Sequence, residues 1–284
     1  MSLSNALNIA VIGGTRGIGL ELCHHFASTG HNVALCARSD GADNVARELQ
    51  REYKVKSYGL SIDAADEQSC IDFSTESQKV IGPVDVLFAN AAMFGPVGKI
   101  DTIDITRWSE VLTSNTLTLV NPIRAFLPSL RKSTNARILT MSGGGLGGSR
   151  PIQRATAYVA SKSATVTLVE ALAIELLEEN ITVNAIAPGF FPTSFMSEAK
   201  NVGPEVAGND LYSDATQTAD ESTEESLAQL FTVVDFLMSP EASVISGRII
   251  SARWDTQEAV LDLSKSSNAF RLRRVDEILI KDAK

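Results

Sequence analysis

The chain has 284 residues, of which 44% are hydrophobic and 21% charged, and its formal net charge is −9. This size and balance suit a folded α/β domain whose core needs no disulfide or metal staple, and they argue against disorder. The acidic total argues against a nucleic-acid partner, since such proteins carry a basic patch or stripe.

Short apolar runs alternate with longer segments of helical period, the pattern of parallel strands joined by crossover helices. Strands are predicted at residues 8–12, 32–37, 56–61, 84–89, 136–141, 182–187 and 247–251. Several are almost continuously apolar, as strands covered on both faces should be. Helices are predicted at 17–28, 41–52, after Asp66, and at 105–130, 156–179 and 224–238. Pro122 and Pro128 are expected to kink or shorten the helix at 105–130. The expected fold is α/β, a single Rossmann-type domain over residues 1–255. Its doubly wound parallel sheet has about seven strands and helices on both faces. Residues 194–223 are rich in Gly, Ser, Asp and Glu, have little periodicity, and follow a strand end where open α/β sheets bind ligands; they are expected to form a substrate lid. Residues 256–284 form a charged extension in which Arg271, Arg273 and Arg274 lie close together. Packing at a subunit interface, covering the active site and solvation all remain open for it.

After the first strand comes Gly13-Gly14-Thr15-Arg16-Gly17-Ile18-Gly19, which opens directly into a helix. Glycines there permit a tight turn and close approach of backbone to a pyrophosphate, while the helix N-terminus supplies amide donors and a favourable dipole. At the end of the second strand an acidic residue would bind the ribose hydroxyls of NAD, whereas an arginine accommodates the 2′-phosphate of NADP. The chain reads Cys36-Ala37-Arg38-Ser39 at that point, with no carboxylate before Asp40, and Arg16 can approach the same phosphate. NADP(H) is therefore the expected cofactor.

Tyr158-Val159-Ala160-Ser161-Lys162 begins a later helix, and the spacing puts Tyr158 and Lys162 on one helix face. An ammonium beside a phenol favours the phenolate, so the pair is a candidate acid/base for a carbonyl or an alcohol. With these motifs in order, the chain resembles the short-chain dehydrogenases/reductases from Asn8 to about Asp255. The resemblance rests on Gly13, Gly17 and Gly19, on Asp63, on Asn90-Ala91-Ala92, on Asn115, on Tyr158 and Lys162, and on Pro188-Gly189-Phe190-Phe191-Pro192-Thr193. It implies that Tyr158 exchanges a proton with the substrate oxygen, that Lys162 lowers its pKa and holds the nicotinamide ribose, and that Asn115 supports a water relay. It also implies that Asp63 and Ala64 contact adenine, that Asn90 to Ala92 line the cofactor, and that Pro188, Gly189, Phe191 and Thr193 hold the nicotinamide end. Dimers or tetramers built on the long helices are a further implication.

The resemblance has gaps. Ile12 stands where the family usually has Thr, and Ala92 where it has Gly. The family's catalytic serine is the second residue after the fifth strand, but here the run is Ser142-Gly143-Gly144-Gly145. Ser142 is the better candidate for that role and Ser149 the poorer; failing both, Tyr158 polarises the substrate alone. The expected activity is hydride transfer between NADP(H) and a ketone or secondary alcohol of a small molecule. The alternatives are a catalytically idle NADP-binding regulatory protein and a redox-assisted epimerase or dehydratase. Phe94, Phe190, Phe191, Phe195 and Met196 would give an apolar substrate pocket, whereas a polar lid would admit a sugar-like or cyclitol-like ligand.

Cys23, Cys36 and Cys70 lie far apart, with no metal-ligand spacing, and are expected to be buried thiols. His24 and His25 are expected at the surface or its boundary, and no metal is expected. The start of the chain lacks a basic region before an apolar stretch, so no signal peptide is read there. The apolar segment at 164–177 is interrupted by Glu170 and Glu175 and is read as too short to span a bilayer. The expectation is a cytoplasmic protein with no membrane partner.

Overall fold

Strand β1 (Asn8–Ile12) sends Ile9 and Val11 into one core and Ala10 and Ile12 into another, so both of its faces are covered. The computed structural model describes residues 6–143, 146, 152–189, 191, 194–217, 221–263 and 269–271. Around β1 lie β2 (Asn32–Ala37), β3 (Ser57–Ser61), β4 (Val86–Ala89), β5 (Arg137–Met141), β6 (Thr182–Ala187) and β7 (Arg248–Ser251). They form one seven-stranded sheet in the order β3-β2-β1-β4-β5-β6-β7, with parallel pairing throughout. Helices α1 (Gly17–Ser28) and α2 (Ala42–Tyr53) cover one face through Leu22, Phe26 and Leu49. Helices α3 (Glu67–Ile81), α4 (Ile105–Leu130) and α5 (Thr156–Glu175) cover the other through Phe73, Phe126 and Val169. The strand order reverses between β1 and β4, which opens a crevice beyond the carboxyl ends of the strands.

Helix α4 is not shortened by its prolines: its 26 residues run through Pro122 and Pro128 to Leu130. Each proline removes one backbone donor, but Pro122, Ile123, Phe126 and Leu130 are all buried, and that burial holds the segment in place. Helix α5 stops at Glu175, short of the predicted end. A 3-10 turn follows at Leu177–Glu179, and Asn180 takes a left-handed conformation at φ 56°. By length and a mean hydropathy of 1.2, α5 meets the requirement for a membrane span, which the reading of residues 164–177 had excluded. Its Val166, Val169 and Ala173 are instead buried in the protein.

The described part of residues 194–223 is more regular than its composition suggests. A 3-10 turn (Ser194–Met196) leads into α6 (Ser197–Ala207) and α7 (Asn209–Thr216), followed by α8 (Glu221–Met238), which begins before the predicted 224 and packs on the α1 side of the sheet. Gly203, at φ 77°, kinks α6 just before Pro204, and Gly208 at φ 80° separates α6 from α7. The glycines that hid the helical period are the joints between short helices. After β7 comes α9 (Gln257–Leu263), and residues 269–271 return to the β7 edge. There the Ile249 amide donates to the Phe270 carbonyl at 2.8 Å, and the Arg248 guanidinium donates to the Ala269 carbonyl at 2.7 Å.

Candidate active site

The glycine loop is shaped by contacts that leave no room for side chains. The Gly13 and Gly14 amides donate to the Cys36 carbonyl at 2.8 and 3.1 Å, which ties the loop to the end of β2. A Cβ at Gly19 would lie 2.0 Å from the Gly13 oxygen, and Gly13 and Gly17 have φ of 85° and 52°. Asn90 donates to the Gly13 oxygen at 3.3 Å and bonds through its own amide to Ile12, so the loop after β4 supports the glycine turn. Arg16 sits at the N-cap of α1 without capping it, and no carboxylate occupies the first turn. The amides there remain free to meet an anion.

Arg38 and Ser39 leave the end of β2 on the same rim, where the Thr15 and Ser39 hydroxyls lie 3.4 Å apart. Arg16 and Arg38 are both exposed, and neither forms an ion pair with a described residue. Asp63 and Ala64 follow β3, where the Asp63 carboxylate accepts from the Ala65 amide at 2.9 Å.

Helix α4 holds these loops with a buried polar row three residues apart, Asn115, Thr118 and Asn121. Asn115 accepts from the Met93 amide at 2.7 Å and donates to the Met93 carbonyl at 2.9 Å and the Ser161 hydroxyl at 2.8 Å. Thr118 donates to the Ala91 carbonyl at 3.0 Å, and Asn121 to the Ala65 carbonyl at 2.8 Å. The Asn115 side chain is thus engaged in clamping the loop after β4. Sequence reading singled out Asn115 and missed Thr118 and Asn121; the signal was the polar period along a helix otherwise apolar on its buried face.

Tyr158 and Lys162 lie one turn apart on α5, both buried. The Lys162 ammonium donates to the Met141 carbonyl at 2.8 Å and lies 5.9 Å from the centre of the Tyr158 ring. Burial pulls Lys162 down to about 8 and pushes Tyr158 up to about 12. Desolvation of the phenolate is the cause of the upward shift at Tyr158, opposite in direction to the lowering expected from Lys162. Among the described residues the Tyr158 hydroxyl has no hydrogen-bond partner, and it borders the cavity.

Ser142, the expected catalytic hydroxyl, lines the cavity but already has a partner. Its Oγ donates to the Ile186 carbonyl at 3.3 Å, across the pairing of β5 with β6. Gly143 is the residue that faces the acid/base: a Cβ there would lie 3.0 Å from the Tyr158 hydroxyl and 2.7 Å from Lys162 Cγ. The stem of Lys162 fills the space a side chain at 143 would need. Ser149, Phe190, Pro192 and Thr193 lie outside the described residues, as do Gly144, Gly145, Arg273 and Arg274.

All these elements border one cavity of about 990 Å³, the size of a small-molecule or cofactor site. Gly13, Thr15, Arg16, Gly17 and Ile18 line it, with Arg38, Ser39, Asp63, Ala64, Asn90, Ala91 and Ala92. Ser142, Tyr158, Lys162, Pro188, Gly189 and Phe191 line it as well. Gly19 and Asn115 act from behind, through packing and hydrogen bonds. The wall residues that went unnoticed in the sequence include Leu211 from α7, and Arg253 and Trp254 from beyond β7. Phe270 and Arg271 of the extension also border the cavity.

Residues 7–202 match the short chain dehydrogenase family. The chain is 30% identical to the acetoacetyl-CoA reductase of Rhizobium meliloti, over 85% of this chain and 95% of that protein. It is 31% identical to the galactitol 2-dehydrogenase (L-tagatose-forming) of Cereibacter sphaeroides, over 85% and 91%. Among solved structures, the Pseudomonas aeruginosa RhlG/NADP active-site complex aligns with a TM-score of 0.71 at 25% identity, over 88% of this chain and 95% of that one.

Proposed function

Because the chain belongs to the short chain dehydrogenase family, we propose that it transfers a hydride between NADP(H) and a ketone or secondary alcohol of a small molecule, with Tyr158 as the proton-transfer group. The observation that carries this reading is the continuity of the cavity: the glycine turn at one end and Tyr158 beside Lys162 at the other share one space. The residues fit a dinucleotide. Gly19 permits a helix-to-loop contact that any side chain would block, and the first turn of α1 carries free amides and no carboxylate. Arg16 and Arg38 border the cavity without ion-pair partners among the described residues, which suits a 2′-phosphate, and a related protein, RhlG, is described as an NADP complex.

When bound, the nicotinamide supplies or accepts the hydride. Tyr158 gives its proton to the carbonyl oxygen in reduction and takes one from the hydroxyl in oxidation. A tyrosine held near 12 keeps its proton at neutral pH and so stands ready as a donor to a carbonyl oxygen. Lys162 supplies positive charge beside the reacting oxygen, and its bond to Met141 fixes its stem under Tyr158. With the Ser142 hydroxyl bonded to Ile186, Tyr158 is the described side chain best placed to donate to the substrate oxygen.

The test is a pair of titrations with NADPH and NADH at fixed salt, followed by carbonyl reduction with Tyr158→Phe. Preference for NADPH, with turnover lost and nucleotide binding kept in the variant, is the expected result; normal turnover by the variant would sink the assignment. The displaced serine also favours a second reading, an idle NADP-binding protein. NADPH binding with no turnover on any carbonyl would select it.

A further inference from the structure

We infer that the substrate of this site is an apolar cyclic ketone, aryl or alicyclic, and not a polyol or ketose. The inference rests on the reading of Tyr158 as the group that meets the substrate oxygen, and it extends that reading to the substrate's body. The Tyr158 ring belongs to a triangle of aromatic rings: its centre is 4.9 Å from that of Phe94 and 5.6 Å from that of Phe195, and those two are 5.5 Å apart. The ring planes are inclined by 44° to 70°, so edges and faces alternate around the hydroxyl-bearing ring.

Helices α6 and α7 close over this triangle with apolar side chains. Ala199, Ala207 and Leu211 are buried in one cluster with Phe94 and Tyr158, and Ile152, Phe195 and Met196 pack against it. On α7 the two kinds of side chain part: Asp210 and Ser213 are exposed, while Leu211 is buried and faces the cavity. Among the described residues, the wall on the Phe94 side of Tyr158 thus offers one hydroxyl surrounded by carbon. Asp214 is the acidic side chain on the same helix that borders the cavity.

A ketone with a flat or cyclic hydrocarbon body satisfies such a wall, because its single oxygen takes the Tyr158 proton and its carbon surface is covered by Phe94, Phe195 and Leu211. A ketohexose would press several hydroxyls against the same carbon surface and leave them without partners once water is displaced.

The experiment measures binding and turnover separately. The full chain, with and without saturating NADPH, is titrated calorimetrically with 2-tetralone and with D-fructose, and NADPH oxidation is followed for each. We expect 2-tetralone to bind at least 100-fold more tightly than D-fructose. Phe195→Ala should weaken 2-tetralone binding at least tenfold while NADPH affinity stays unchanged. Leu211→Asn, in a different element, should weaken it in the same sense, which guards against misfolding of either variant. Equal or stronger binding of D-fructose, no 2-tetralone binding, or indifference to both substitutions overturns the inference. Binding of 2-tetralone without NADPH oxidation keeps the inference and removes the hydride-transfer reading. Reduction of D-fructose without 2-tetralone binding does the reverse.

Discussion

Lys162 is a buried ammonium whose only described hydrogen-bond acceptor is the Met141 carbonyl, with no carboxylate beside it among the described residues. Its fall from 10.5 to about 8 means that the folded protein holds this proton less tightly than the unfolded chain. Below about pH 8 both states are protonated and the burial cost stands in full. Between about 8 and 10.5 the unfolded chain alone keeps the proton, so stability rises with pH. The span corresponds to about 3 kcal/mol. Tyr158 acts in the opposite sense from pH 10, since its raised pKa favours unfolding once the unfolded phenol ionises. Urea unfolding of the ligand-free protein should therefore show stability climbing from pH 8 to 10. Lys162→Met should be more stable at pH 7, lack that climb, and lose turnover; an identical climb in the variant would show that other groups produce it.

Gly143 gives a second prediction at this scale. Because Lys162 Cγ would lie 2.7 Å from a Cβ at 143, a serine there displaces the lysine stem before it can help the substrate. Overpacking of this kind costs about 1–3 kcal/mol. Gly143→Ser and Gly143→Ala should both lower kcat at least tenfold, whereas Ser142→Ala should leave it within about threefold, as expected of a hydroxyl that serves strand pairing. A Gly143→Ser enzyme faster than Gly143→Ala would show that the single-donor site is incomplete.

At the scale of elements, α4 matters as a ruler. Its row of Asn115, Thr118 and Asn121 reaches the loops after β4 and β3, so one rigid helix sets the position of both. Thr118→Val removes the bond to Ala91, and Asn121→Leu removes the bond to Ala65, each leaving a carbonyl unpaired at a cost of about 1–3 kcal/mol. Both should weaken NADPH binding several-fold with a smaller change in kcat, because the affected loops border the cavity away from the reacting oxygen. A change confined to kcat would contradict this division of labour. The same helix explains why the prolines mislead: the cost of two missing donors is local, while the buried Ile123, Phe126 and Leu130 act along the whole sheet face.

At the scale of the molecule, the end of the chain is tied to the far edge of the sheet. Arg271 donates to the Gly247 carbonyl at 3.3 Å and lies 3.6 Å from Glu170 on α5, the helix that carries Tyr158 and Lys162. Its side chain is only 18% exposed, so these contacts escape most solvent screening. Arg271→Ala should lower stability by about 1–3 kcal/mol in urea unfolding. An unchanged midpoint would show that residues 269–271 add nothing to the β7 edge. Of the three outcomes the sequence left open for the extension, the described part shows cavity contact.

The sequence by itself determined what depends on neighbours along the chain. The sheet was legible because both faces are buried, and the strand cores, β1 among them, are almost continuously apolar. The glycine turn and the pairing of Tyr158 with Lys162 were legible because a turn and one helical step are local geometry. Four features needed the tertiary structure, because each is set by residues far away in the chain. The Ser142 hydroxyl is turned by Ile186 in a neighbouring strand, and the room at Gly143 is taken by Lys162 from another helix. The pKa of Tyr158 follows from burial that no local charge reveals. The apolar underside of α6 and α7 is visible only once those helices rest on Phe94 and Tyr158, since composition averages a helix's two faces and packing separates them.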